Sequence, residues 1–275
     1  MEVISTRGMR MPKLGLGTWR SWGEECRRMV ESALALGYRH IDTAAMYDNE
    51  DQVGAAIAAS GLQRAELFLT TKVWHDQFAP EAMRRSIENS LRKLRTDYVD
   101  LLLLHWPVPG MDMAAVLGSL VRIREAGLTR SIGVSNFTIA LLREAVEVVQ
   151  APIACNQIEY HVLLDESRLA AYARGQGVAT AAYRPVAKNE VANFPEIVTI
   201  ARKHGATPAQ VALAWLLQQD LVAAIPKSVH PERQRENLGA LEVRLDEEDR
   251  ALIARLPKNR RLSNGAFRLA WDSPA

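Results

Sequence analysis

The chain has 275 residues, of which 48% are hydrophobic and 24% are charged, a composition that fits a globular protein and excludes a disordered or fibrous one. Its 34 Lys and Arg residues nearly balance its 32 Asp and Glu residues and are spread along the chain, which argues against a nucleic-acid partner. Two distant cysteines, Cys26 and Cys155, suit neither a disulfide framework nor a metal site. With no signal-like N terminus and no membrane-length apolar run, we expect a soluble cytoplasmic monomer that does not bind membranes.

Short apolar runs predict eight buried strands along the chain. Several are nearly continuous aliphatics, as in residues 99–104, and this is typical of a parallel sheet that is covered on both faces. The predicted strands are Leu14–Leu16, Arg39–Thr43, Leu67–Val73, Tyr98–Leu104, Ser131–Val134, Ile153–Ile158, Val178–Tyr183 and Val222–Pro226.

Amphipathic segments between these runs predict helices. Thr207 precedes Pro208 and lies three residues before Gln210, the pattern of a helix start with a capping hydroxyl and a proline in the first turn. The predicted helices are Glu25–Leu36, Asp51–Ala59, Pro80–Arg95, Met113–Ala126, Ala140–Val149, Glu166–Arg174, Pro195–His204, Pro208–Gln218, Pro231–Gly239 and Glu247–Arg255.

Eight strand–helix units in a chain near the roughly 250 residues of a (β/α)8 TIM barrel make that α/β fold the leading prediction. A doubly wound sheet is the competitor, but it requires a glycine fingerprint after the first strand, and Arg20 interrupts the run that begins with Gly15 and Gly17. We expect one domain over residues 1–275, with Met1–Met11 forming a short hairpin that closes the barrel floor.

Four polar side chains follow the carboxyl ends of consecutive predicted strands, where barrel active sites are built. Asp42, Lys72 and His105 end strands two to four, and Tyr47 follows five residues after Asp42. Near a lysine held by a carboxylate, a phenol is easier to ionise, and a histidine can donate to a carbonyl oxygen. Each residue alone could be an ordinary cap, core or surface group. Together they indicate a site that polarises a carbonyl.

The sequence resembles the aldo-keto reductase family, most closely its bacterial 2,5-diketo-D-gluconate and methylglyoxal reductase branch. The resemblance extends from about Gly15 to Asp246. It is carried by the segments GYRHIDTA at residues 37–44, TTKVW at 70–74, DYVDLLLLHWP at 97–107, GVSNF at 133–137, NQIE at 156–159 and IPKS at 225–228.

The resemblance implies an NADP(H)-dependent carbonyl reductase. By this matching, Asp42, Tyr47, Lys72 and His105 form the catalytic tetrad, with Tyr47 as the general acid and the nicotinamide as the hydride donor. Position 105 carries His rather than Glu, which fits carbonyl reduction. The residues implied to hold the nicotinamide are Ser135, Asn136 and Gln157, which bind its carboxamide, and Tyr183, which stacks on its ring.

The segment between the last strand and the next helix suits a phosphate, because it combines two cations, a hydroxyl and the start of a helix. The resemblance implies that Lys227, Ser228 and Arg233 grip the adenosine 2′-phosphate, which favours NADP over NAD. It assigns the adenine to Glu236 and Asn237.

The chain departs from the family after strand seven, where many relatives have a hydroxyl that contacts the diphosphate. Arg184 and Lys188 stand in this segment. We expect them to replace the lost hydroxyl contacts with charge. The alternative is that both side chains point to solvent and the backbone amides alone bind the diphosphate.

Large apolar residues flank the predicted site on its substrate side. Trp19, Met46, Trp74 and Trp106 would form an apolar rim around His105, suited to a small carbonyl compound. Three arginines near the C terminus could meet an acidic substrate or be solvated, namely Arg260, Arg261 and Arg268.

The sequence therefore predicts a reductase of small dicarbonyls or keto-sugar acids. Two alternatives remain open at this point. One is a cofactor-binding module that senses redox state without catalysis. The other is a Schiff-base lyase that uses Lys72 as its nucleophile.

Overall fold

The eight predicted strands form one parallel sheet that closes into a barrel in the computed structural model, which describes residues 2–263 and 269–272. Each strand pairs with its neighbour in the chain. The last strand meets the first because Gly15 donates its N–H to the carbonyl of Ala224 at 2.9 Å and Ala224 donates to Lys13 at 2.8 Å. The barrel strands are β3 (Leu16–Gly17), β4 (His40–Asp42), β5 (Phe68–Val73), β6 (Val99–Leu104), β7 (Thr129–Ser135), β8 (Ile153–Glu159), β9 (Ala179–Tyr183) and β10 (Val222–Ala224). The predicted barrel is confirmed.

Helices lie between the strands and around the barrel. They are α1 (Gly23–Ala35), α2 (Glu50–Ala59), α3 (Pro80–Leu94), α4 (Met113–Glu125), α5 (Ile139–Arg143), α6 (Ser167–Gly175), α7 (Pro195–Lys203), α8 (Pro208–Leu217), α9 (Pro231–Gly239) and α10 (Glu247–Ala254). The predicted cap of α8 forms, since Thr207 Oγ1 accepts the N–H of Gln210 at 3.2 Å and Gln210 Oε1 accepts that of Thr207 at 2.9 Å. The helix predicted over 140–149 is α-helical only to Arg143 and widens into a π-helical turn over Glu144–Val148.

A hairpin of β1 (Val3–Thr6) and β2 (Met9–Pro12) closes the amino-terminal end of the barrel. Met9 and Met11 are buried and pack in one apolar cluster with Leu101, Leu103 and other residues that point into the barrel. The predicted floor is thus present, while Met1 lies outside the described residues. The hairpin leaves the opposite, carboxyl-terminal end of the strands for the site.

Within residues 2–263 and 269–272, no helix is long and apolar enough to cross a bilayer. The same residues include no group of three or more His, Cys, Asp or Glu side chains that could hold a metal ion. Cys26 and Cys155 are buried free thiols.

Candidate active site

Asp42, Lys72 and Tyr47 meet at the carboxyl-terminal mouth of the barrel. β4 and β5 are paired neighbours, and Lys72 lies two residues beyond Thr70, the register partner of Asp42. Lys72 Nζ donates to Asp42 Oδ1 at 2.6 Å, to the carbonyl of Thr43 at 2.8 Å and to Tyr47 Oη at 3.3 Å. Tyr47 reaches this lysine from a short 3₁₀ turn over Ala45–Tyr47. The structure therefore places three of the four predicted catalytic residues in direct contact.

The charges in this cluster reinforce one another. Burial by itself lowers the pKa of Lys72, but the charges and hydrogen bonds of Asp42 and Tyr47 together outweigh this effect and hold that pKa above the ordinary 10.5. Burial raises the pKa of the Tyr47 phenol, and the Lys72 ammonium opposes this rise. Lys72 is therefore a permanent cation that makes the neighbouring phenol a stronger acid than burial alone would leave it.

His105 joins the cluster from the end of β6. Its ring centroid lies 5.4 Å from that of Tyr47 and 5.0 Å from that of Trp74, both in edge-on contacts. Burial, followed by the charges of Lys72 and His75, lowers its pKa well below the ordinary 6.5. Its Nδ1 is buried and has no hydrogen-bond partner among the described residues. His105 is therefore a neutral imidazole.

The polar residues predicted to bind a carboxamide form a connected network across β7, β8 and β9. Ser135 Oγ donates to the carbonyl of Gln157 at 2.8 Å, and Asn136 Nδ2 donates to Ser135 Oγ at 3.0 Å. Tyr183 Oη donates to Asn136 Oδ1 at 2.8 Å. Gln157 Nε2 donates to Asp42 Oδ2 at 2.6 Å, which links this network to the catalytic cluster. Asn136 has a left-handed φ of 63°, a conformation that asparagine adopts more easily than most residues.

The residues predicted to bind the adenosine half lie at the junction of β10 and α9. Lys227 and Arg233 are exposed and Ser228 is buried. Asn237 is also buried. The carboxylate of Glu236 accepts the hydroxyl of Thr207 at 2.6 Å, so in this structure it ties α9 to the start of α8.

The predicted apolar rim surrounds the catalytic cluster unevenly. The ring of Trp19 lies 4.7 Å from that of Tyr47 in a tilted contact and is 37% exposed, and Met46 is 38% exposed. Trp74 is half-buried against His105, while Trp106 is only 8% exposed and lies 6.3 Å from Trp271. The rim is open at Trp19 and Met46 and covered at Trp106.

The two basic residues after β9 differ in their surroundings. Arg184 Nη1 donates to the carbonyl of Leu262 at 2.5 Å, whereas Lys188 is exposed. Their proposed contact with a diphosphate stays a prediction. Of the C-terminal arginines, Arg260 forms an exposed ion pair with Glu190 at 2.8 Å, Arg261 pairs with Glu166, and Arg268 lies outside the described residues.

Sequence reasoning missed three residues that shape the mouth. Asn49 is fully buried, accepts the hydroxyl of Thr43 at 2.8 Å and donates to the carbonyls of Thr18 and Ser21 at 2.9 Å. Trp22 donates its indole N–H to the carbonyl of Tyr47 at 3.0 Å. The third residue is the buried Glu159. The only signal in the sequence was position, since Asn49 follows Tyr47 by two residues and Glu159 follows Gln157 by two.

Comparisons with known proteins give matches over nearly the whole chain. A profile of the Aldo/keto reductase family matches residues 13–257. Methylglyoxal reductase DkgB of Escherichia coli O157:H7 is 44% identical over 268 residues, which cover 96% of this chain and 100% of the relative. The crystal structure of a candidate 2,5-diketo-D-gluconic acid reductase B superposes with a TM-score of 0.95 at 43% identity, covering 99% of this chain and 98% of that one. Aldose reductase from Schistosoma japonicum gives 0.91 at 32% identity, covering 95% and 94%.

Proposed function

Since the chain belongs to the aldo/keto reductase family, we propose that it reduces the carbonyl group of a small aldehyde or ketone with NADPH, using Tyr47 as the general acid. The observation that carries this proposal is the buried contact of Tyr47 Oη with Lys72 Nζ at 3.3 Å, with the ring of His105 beside it. Such a cluster can supply a proton to an oxygen at the barrel mouth.

The residues of the mouth fit a nicotinamide nucleotide. A primary carboxamide needs both donors and acceptors, and the side chains of Ser135, Asn136 and Gln157 provide both next to the ring of Tyr183. These side chains would hold the nicotinamide end. When bound, that group supplies the hydride.

Each member of the cluster has a distinct role in the proton step. Tyr47 donates its phenolic proton to the carbonyl oxygen as negative charge develops there. Lys72 stabilises the phenolate that is left, and Asp42 keeps Lys72 charged and aimed at the phenol.

His105 contributes as a neutral donor. Its buried Nδ1 lacks a partner, and an unpaired buried N–H would be costly, so we assign the proton to Nε2. From there it donates to the same carbonyl oxygen and orients it.

The preference for NADPH rests on the junction of β10 and α9. Lys227 and Arg233 offer two exposed cations beside the hydroxyl of Ser228. A doubly charged 2′-phosphate would form charge-assisted hydrogen bonds with them that NADH cannot form.

The substrate is a small dicarbonyl or a keto-sugar acid. The relatives are named for methylglyoxal and 2,5-diketo-D-gluconic acid, and the open rim at Trp19 and Met46 leaves room for a short molecule beside Tyr47.

The Schiff-base alternative is disfavoured, because an amine paired with Asp42 at 2.6 Å stays protonated and is a poor nucleophile. The four-residue cluster likewise disfavours a module without catalysis.

The decisive experiment is NADPH oxidation with methylglyoxal, an aromatic aldehyde and a keto-sugar acid, run beside borohydride trapping with each compound. We expect nucleotide oxidation and no covalent label on Lys72. Nucleotide binding without turnover of any carbonyl would favour the sensor, and a borohydride-dependent label would favour the lyase.

A further inference from the structure

The segment that follows α10 crosses the carboxyl-terminal ends of β8 and β9. We call residues 258–263 the strap. Asp165 donates its backbone N–H to the carbonyl of Lys258 at 3.0 Å, and Arg260 donates to that of Leu163 at 2.9 Å. The strap is therefore held antiparallel to the loop after β8, the strand that also carries Gln157 into the catalytic cluster.

Two charged side chains form hydrogen bonds with the peptide groups of the strap. Glu159 accepts the N–H of Leu262 at Oε1 (2.6 Å) and that of Ser263 at Oε2 (2.7 Å). Arg184 donates to the carbonyl of Leu262 at 2.5 Å. The peptide group before Leu262 is thus bound by the carboxylate of Glu159, and the peptide group after it is bound by both Glu159 and Arg184. Because Glu159 pairs in register with Tyr183, both gripping residues come from adjacent strand ends.

The strap in turn supports the covered part of the rim. The guanidinium of Arg261, within the strap, lies 3.7 Å from the ring centroid of Trp271, and that ring lies 6.3 Å from Trp106. Trp106 directly follows His105. A displacement of the strap would therefore remove the support behind Trp106.

We propose that Arg184 and Glu159 are positioning residues that fix the strap, and that the fixed strap closes one wall of the substrate pocket. The substrate half of this statement rests on the proposed carbonyl reduction, whereas the anchoring half does not. The proposal gives Arg184 a task other than contact with a diphosphate. It predicts that the loss of these hydrogen bonds to the strap weakens the binding of the carbonyl compound and leaves the proton-transfer cluster intact.

Amide hydrogen exchange of the full chain with NADPH bound tests the anchoring. Arg184→Met removes the donor and keeps much of the side-chain volume, and we expect residues 260–263 to exchange at least about tenfold faster, as the loss of a charge-assisted hydrogen bond implies. Arg184→Lys should restore part of the protection. The matched control is Arg260→Met, a strap arginine whose exposed ion pair with Glu190 contributes little, and its exchange should stay as in the parent. Unchanged exchange in Arg184→Met would overturn the proposal.

Steady-state kinetics and nucleotide binding test the consequence. For Arg184→Met we expect KM for methylglyoxal to rise about tenfold, with kcat and the Kd for NADPH within about twofold of the parent. A fall in NADPH affinity with an unchanged strap would assign Arg184 to the nucleotide instead. An unchanged KM despite a loosened strap would overturn the closing of the substrate pocket.

Glu159→Gln gives an independent check. In the parent, both oxygens of Glu159 accept strap N–H groups, whereas in the variant the side-chain NH2 group would face one of these donors. We expect faster exchange over the same residues. Exchange is measured without any carbonyl compound, so a chain that anchors its strap yet reduces nothing would contradict the proposed function and leave the anchoring supported.

Discussion

Nζ of Lys72 lies 2.6 Å from Oδ1 of Asp42, and both side chains are buried. The pair is also tied to its surroundings, since Gln157 donates to the other oxygen of Asp42 and Lys72 donates to the carbonyl of Thr43. A buried ion pair of this kind is held together less by its net attraction than by the cost of leaving either charge alone.

Lys72→Met leaves the carboxylate of Asp42 buried without its cation, and we expect it to lower the free energy of unfolding by about 3–5 kcal/mol. Adding Asp42→Asn to this variant removes the orphaned charge, so the double variant should be more stable than Lys72→Met alone. Urea unfolding of the parent, both single variants and the double variant measures the coupling. If the loss of unfolding free energy in the double variant equals the sum of the losses in the two single variants, the two side chains do not interact as a buried pair.

Tyr47→Phe should remove the proton donor and leave the fold unchanged. General acids contribute about 10²- to 10⁴-fold to a rate, so we expect kcat for methylglyoxal to fall at least about 100-fold while the Kd for NADPH stays near that of the parent. The control is Tyr172→Phe, a tyrosine of α6 whose hydroxyl donates to Glu147 on the surface. Turnover near the parent level in Tyr47→Phe would exclude Tyr47 as the acid.

The neutral state of His105 makes a prediction about activity. Because burial holds its pKa well below 6.5, the profile of kcat/KM against pH should pass through that value without an inflection. On the alkaline side, Tyr47 must be protonated to act, and its pKa is raised above 10.0, so activity should persist well into alkaline pH. An acid limb centred near pH 6.5 in the parent that disappears in His105→Asn would mean that His105 titrates.

The same shift makes a prediction about stability. At a pH below 6.5 the unfolded chain binds a proton at position 105 that the native state does not, so stability at this residue is lost as the pH falls. His40 acts in the same direction, since burial also lowers its pKa. We expect His105→Asn to flatten the fall in unfolding free energy between about pH 6.5 and pH 5, by up to about 1.4 kcal/mol per pH unit. An unchanged slope would show that the imidazole is protonated in the folded protein.

The catalytic cluster could be predicted from the sequence because its geometry is set by neighbouring strands. Asp42 and Lys72 end paired strands, and the strand order of a barrel follows the chain order. The link from Gln157 to Asp42 could not be predicted, because β4 and β8 meet only across the barrel. The hydrogen bonds of Glu159 and Arg184 with Leu262 could not be predicted either, because Leu262 lies 103 residues after Glu159 and 78 residues after Arg184.

The mouth also depends on backbone groups that no residue pattern reveals. Asn49 and Trp22 bind carbonyls of the loops around Tyr47, and a carbonyl offers the same acceptor whatever side chain its residue carries. The sequence therefore predicts which side chains gather at the strand ends. The loops that hold them depend on contacts that only the folded chain defines.

The preference for NADPH gives a prediction in which charge and salt act together. Lys227 and Arg233 are exposed at the start of α9, so their attraction to a 2′-phosphate is screened over a Debye length of about 8–10 Å. We expect Arg233→Ala to weaken NADPH binding about 10- to 100-fold, the range of one charge-assisted hydrogen bond, and to leave NADH binding nearly unchanged.

The matched control is Arg235→Ala, an exposed arginine two residues further along the same helix, which points in a different direction because successive helical residues are rotated by about 100°. Raising the salt concentration should reduce the parent's preference for NADPH and have a smaller effect on that of Arg233→Ala, because the variant has lost one of the two charges that salt screens. Fluorescence titration with both nucleotides at low and high salt measures each constant, and equal affinities for NADPH and NADH in the parent would exclude a 2′-phosphate site at this junction.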